Sequence, residues 1–338
     1  MVHIRALFLA LFLPALSMAD EASPTVSSAL KDHILPGYGR LAEQAQALAG
    51  TADANCDANS TALRLAYHQT FDAWVAVSHL RFGPSEQHNR AFALAFWPDT
   101  RGKTPKALNG LIASEDPAAR DAETFKQVSI AARGLYALEY LLYDPTLSVA
   151  DTADYRCALI QTMTRDIAAL AGEMRDDWQK GYAAKLATPS REGPYQSDAE
   201  GVQELFKALY TGLIFTRDMR LGRPLGSFDK PRPKRAEAWR SERSLRHVEI
   251  SLLALRDLAG ILATDHPGIA GHLDAAFGYA LETANGIESP TFANITEVQG
   301  WFELDTLRQS LEAVSEILIE ELAPALAVTE GFNALDGD

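Results

Sequence analysis

The residues most able to do chemistry lie in the run Arg133-Gly134-Leu135-Tyr136-Ala137-Leu138-Glu139-Tyr140-Leu141-Leu142. Leu135, Leu138, Leu141 and Leu142 make an apolar helical stripe, and Glu139 sits among them. A carboxylate there must be paired or must serve a ligand. A salt bridge at a helix seam meets the first need, a metal or small ligand the second. Tyr136 and Glu139 are spaced to share a helix face. Gly134 within such a helix costs about 1 kcal/mol relative to Ala, which predicts close approach of another helix or a ligand.

Other chemistry is sparse. His68 and Asp72 share a helix face as a metal-ligand pair or a His-carboxylate hydrogen bond would, but two ligands do not make a site, and a polar surface pair is the simpler reading. No HExxH, GxSxG, GxxxxGK[ST] or GxGxxG occurs, and no histidine has Glu three residues on. Ser241 and Ser244 precede an apolar period and suit helix N-capping. A helix start there would also receive an anion or a carboxylate from elsewhere in the chain, with Arg217, Arg220 and Arg223 adding positive charge.

Helices must position these groups. Apolar residues at helical spacing run from Val202 to Ile214, from Leu245 to Leu262 and from Leu304 to Leu318. Further helices are expected over Thr25 to Ala49, Thr61 to Arg81, Ala122 to Tyr143 and Thr152 to Lys180. Gly83-Pro84, Trp97-Pro98 and Asp144-Pro145 break them. No stretch alternates with the period of a strand. The expectation is an all-α protein of two helical-bundle domains, residues 20–190 and 191–338, divided near the Pro- and Gly-bearing stretch Ala187 to Pro194. The irregular segment Leu221 to Pro233 is long enough to be a functional loop.

Residues 1–19 read as a cleavable export signal: a basic start ending at Arg5, an apolar run from Ala6 to Leu16, and the small-residue site Ser17-Met18-Ala19. No later segment is apolar for the roughly 20 residues that a membrane span needs. A net charge of −14 argues against nucleic acid as a partner. In an oxidising compartment the two cysteines, Cys56 and Cys157, are expected to form a disulfide, two buried thiols being the alternative.

Gly134-Leu135-Tyr136-Ala137-Leu138-Glu139 resembles the GxHxxE motif of the imelysin-like proteins, peptidase family M75. Trp74 followed by Arg81-Phe82-Gly83-Pro84, the loop Arg223-Pro224-Leu225-Gly226, the stretch from Glu237-Ala238-Trp239-Arg240-Ser241 to Ser244-Leu245, and the tail Gly331 to Asp338 are similar to further family signatures. Tyr136 departs from the pattern by standing where the family has His. A phenol is a poor ligand for a divalent metal compared with a neutral imidazole.

The resemblance implies a cleft shared by the two helical-bundle domains and holding Gly134, Tyr136 and Glu139, with His79, Arg81, Glu237, Ser241 and Ser244 as neighbours and Glu139 as a metal ligand. It implies a non-enzymatic periplasmic protein that binds iron, another metal ion or an iron-linked ligand beside envelope iron-uptake proteins. The family label implies a metal-dependent peptidase as the competing activity. A structural envelope module with a vestigial site is the third reading.

Overall fold

The computed structural model describes residues 23–147 and 153–328. The expected export signal, residues 1–19, and the tail from Gly331 lie outside them. Among the described residues the regular structure is helical, with one isolated bridge between Ser227 and Lys230 in place of any strand, so the all-α expectation holds.

The longer helices are α1 (Leu35–Ala54), α2 (Thr61–Val77), α3 (Lys103–Ser114), α4 (Gly134–Tyr143), α5 (Ala153–Asp177), α6 (Asp198–Ile214), α7 (Ser244–Leu262), α8 (Pro267–Asn285) and α9 (Val298–Ile317). In the first half α1 packs on α2 and α5, and α4 lies on α5. In the second half α7 packs on α6 and α8, and α8 on α9. The two halves meet where α2 crosses α7, and their buried apolar side chains form one continuous cluster. The chain is irregular over residues 188–197, where a boundary is expected.

Amphipathic periodicity accounts for most of these elements. Leu205, Leu209 and Leu213 of α6 are fully buried, as are Val248, Leu252, Leu255 and Leu258 of α7. Fully burying one such side chain contributes about 1.5–3 kcal/mol. By contrast α8 buries Leu273, Phe277, Ala280 and Ala284, a stripe too narrow and too small to stand out by periodicity. α3 buries Thr104, Leu108, Leu111 and Ile112 at clear helical spacing, a signal the sequence carries and the expected helices omit.

One expected helix is broken. The span Ala122 to Tyr143 resolves into a short helix Ala122–Phe125, a turn at Ile130–Ala132, and α4 starting at Gly134. Gly134 therefore begins a helix and does not interrupt one. Its φ of +76° is left-handed, and a Cβ would run into the carbonyl oxygens of Leu94 and Ala93. The close approach that the glycine predicts is real, and its partner is backbone.

Cys56 and Cys157 form a disulfide with a Cα–Cα distance of 5.1 Å, tying the end of α1 to α5 across a sequence separation of 101 residues. Cross-linking a loop of that length is worth about 4–5 kcal/mol in the chain-entropy account. Among the described residues no helix is long and apolar enough to cross a membrane.

Candidate functional site

The turn before α7 and the first turns of α4 face each other, and their polar groups are joined. Glu139 is 2% exposed, and its Oε1 accepts hydrogen bonds from the backbone N–H of Ser241 at 2.9 Å and from the Ser241 hydroxyl at 2.8 Å. Burial raises the Glu139 pKa, and the two Ser241 donors only partly oppose this. Ser244 is the first residue of α7, and its hydroxyl donates to the backbone carbonyl of Glu237 at 2.6 Å. Neither serine caps the helix as the sequence suggests: Arg243 holds the N-cap position, and its side chain makes no capping bond to the helix. The serines instead bind the turn and the incoming carboxylate, which compete better for their short side chains than the helix N–H groups do.

Glu237 is the centre of the cluster. Its Oε2 receives Arg220 Nε at 2.7 Å, and its Oε1 accepts from the Tyr136 hydroxyl. His247 Nδ1 lies 3.2 Å from Oε2, within ion-pair range but without hydrogen-bond geometry. Burial by itself would raise the Glu237 pKa. Arg220 foremost, then His247 and Tyr136, overcome this and bring it down to about 2. The Tyr136 phenol is driven well above its ordinary range by burial and by the Glu237 charge, so it keeps its proton and acts as a donor.

Arg220 is as fully used. Its remaining nitrogens reach Thr216 Oγ1 at 3.3 Å, Ser251 Oγ at 3.1 Å and Ser78 Oγ at 3.3 Å. A widened helical turn, Phe215–Gly222, continues α6 and carries Arg220 inward. From the sequence Arg220 reads only as nearby charge, and no motif marks His247 or Trp97. One signal was present: Arg220 extends the buried row Leu209, Leu213 and Thr216 at helical spacing.

The other expected neighbours lie further out. His79 is buried with Nε2 2.9 Å from His33 Nε2, and Arg81 is held by Glu86 at 2.6 Å; both line the adjoining cleft without touching the cluster. His68 and Asp72 do not pair with each other. His68 Nε2 meets the Tyr143 hydroxyl at 2.8 Å, and Asp72 pairs with Arg243.

Two hollows flank the cluster. Tyr136 and Trp97, whose rings stack at 6.2 Å, line both. On one side is a cleft of about 860 Å³ that Glu237, Arg220, His79 and Trp74 border; on the other is a pocket of about 220 Å³ reached by Glu139, Arg223 and Trp239.

A resident metal ion needs several lone pairs aimed at one point. Here the guanidinium of Arg220 takes Glu237, Ser241 takes Glu139, and Tyr136 holds its proton. Among the described residues no three His, Cys, Asp or Glu side chains converge as a metal would require. The donor set does not fit a metal ion.

Fold and site together define an all-helical protein with a buried, internally neutralised polar cluster between its two halves. Residues 34–318 match imelysin, Peptidase M75, and the chain belongs to that family. It is 22% identical to iron-regulated protein A of Synechococcus elongatus over 321 residues, 89% of this chain and 85% of that protein. Its fold is shared with an imelysin-like protein from Psychrobacter arcticum (TM-score 0.77, 19% identity, 91% of this chain and 96% of the other). It is also shared with an iron-regulated protein A precursor from Parabacteroides distasonis (TM-score 0.73, 12% identity, 88% and 94%).

Proposed function

We propose that this imelysin-family protein is a non-enzymatic binding protein of the periplasm that captures an iron-linked ligand in the larger cleft and serves envelope iron uptake. The observation that carries a binding role is the Tyr136-Glu237-Arg220 cluster. It places a fixed, desolvated polar floor under a cleft whose walls include Trp74, Phe92, Trp97 and Phe215. A concave, largely apolar site with a few convergent polar groups is the usual architecture of small-ligand recognition. The full use of each carboxylate by a protein partner favours a chelated iron over a bare ion. It also disfavours hydrolysis by the zinc route, which needs three protein ligands and a base. The iron association comes from the name of the Synechococcus elongatus relative, and the periplasmic location from the N-terminal signal pattern.

Calorimetry on the protein without residues 1–19 tests this reading. Free ferrous, ferric and zinc ions are compared with small-molecule ferric chelates, beside casein digestion with and without a chelator. Saturable binding of a chelate, lost on Trp74→Ala in the cleft wall, and no casein cleavage are expected. Chelator-sensitive cleavage, or the absence of binding by every iron form, would overturn it.

A further inference from the structure

We infer that the pocket of about 220 Å³ is a second binding site, for a small anion bearing two or more carboxylate or phosphate groups. The chain carries a net charge of −14, yet four cations, Arg223, Lys234, Arg235 and Arg240, line this one hollow against two carboxylates, Asp99 and Glu139. Both carboxylates are already used. Asp99 accepts backbone N–H bonds from Arg101, Lys103 and Thr104 at 3.2, 2.9 and 2.7 Å, starting α3. Glu139 is bound to Ser241.

The cations are not comparably used. Arg240 pairs with Asp144 at 3.1 Å. Arg223, Lys234 and Arg235 have no carboxylate partner among the described residues. Arg223 Nε is moreover buried with no hydrogen-bond partner among the described residues, so no protein acceptor offsets that guanidinium's charge. Aromatic rings lie near two of these cations without neutralising them: the Arg223 guanidinium lies 5.7 Å from the Trp97 ring centroid, and Lys234 Nζ lies 5.8 Å from that of Trp239. Unpaired guanidinium groups bordering one hollow, as those of Arg223 and Arg235 do, suit planar oxyanions, which such groups engage through two parallel hydrogen bonds. The hollow is below the roughly 300–1,000 Å³ of drug-sized sites, so the ligand is a small one.

This inference goes beyond the iron reading, and its test contains no iron. Citrate, pyrophosphate and orthophosphate are titrated calorimetrically into the wild type, Arg223→Gln and Arg235→Gln. Arg217→Gln serves as a control of equal charge change, because Arg217 pairs with Asp218 and lies outside the pocket lining. At least one probe should bind with Kd below about 1 mM in 0.15 M salt, with about tenfold or greater weakening in each pocket variant and less than about twofold in the control. Binding of citrate alone identifies a polycarboxylate ligand, and binding of the phosphates identifies a phosphorylated one. Thermal unfolding checks that the variants are folded, and Arg235, which is exposed, keeps the test valid if Arg223→Gln is not. No binding of any probe at 10-fold higher concentration, or equal weakening in the control, overturns the site.

Discussion

Replacing Glu237 by Gln keeps the size of the side chain and removes its charge, leaving Arg220 buried with its side chain 4% exposed. Three hydroxyls still contact the guanidinium, but none is a counterion. Removing one partner of a buried ion pair costs about 3–5 kcal/mol. The three hydroxyls place the expected loss near the lower end, about 3 kcal/mol. With an unfolding entropy of about 2.1 cal/mol/K per residue over roughly 300 residues, each kcal/mol moves Tm by about 1.6 °C, so Tm should fall by about 5 °C. Arg220→Met should be similarly harmful, because it strands the Glu237 carboxylate with Tyr136 and His247. The double variant Glu237→Gln/Arg220→Met should lose at least about 2 kcal/mol less than the sum of the singles, since no isolated charge remains. Urea unfolding followed by circular dichroism, with the disulfide intact, measures all three. A Glu237→Gln variant within about 0.5 kcal/mol of wild type, or strict additivity in the double variant, would refute the claim that this pair neutralises the cluster.

Gly134→Ala should be among the most damaging single substitutions, costing about 3 kcal/mol or more, because it combines a left-handed φ with a collision against the Ala93–Leu94 carbonyls. Gly39→Ala, where a Cβ meets nothing within 4 Å, should be neutral or slightly stabilising, and thermal unfolding of the two side by side checks the contrast. Acid should weaken the fold in two windows. His33, lowered by burial from 6.5 to about 4, favours the folded state fully above pH 6.5, and that contribution is lost as pH falls towards 4. Glu237, lowered from 4.5 to about 2, contributes fully above pH 4.5 and loses its contribution as pH falls towards 2. Glu139, whose pKa is raised, works in the opposite sense. His68, also lowered to about 4, and His79, lowered well below 6.5, act in the same sense as His33. Tm measured from pH 8 to pH 3 should therefore fall in both windows, His33→Gln reducing the upper decline and Glu237→Gln the lower; an upper decline as large in His33→Gln as in the wild type would refute the His33 contribution.

The helical class, most long helices and the pairing of the two cysteines follow from local patterns: apolar spacing over several turns, proline breaks, and the cysteine count. Such signals are short-range and additive along the chain. The family resemblance also brought Tyr136, Glu139, Glu237, Ser241 and Ser244 into one group, and the structure joins Tyr136 to Glu237 and Glu139 to Ser241. What each residue does there was not legible. Whether Ser241 caps a helix or holds a carboxylate depends on where Glu139 arrives, 102 residues away. Gly134 looks like a weakness in a helix until the Ala93–Leu94 backbone is known to lie against it. Arg220 reads as surface charge until the widened turn carries it to Glu237, and the cations of the small pocket are spread through a loop whose folding alone makes them neighbours. Periodicity determines which face of a helix is buried. Which partner meets that face, and so whether a buried charge is neutralised or left for a ligand, is decided by contacts between segments far apart in the chain, and only the tertiary structure sets those.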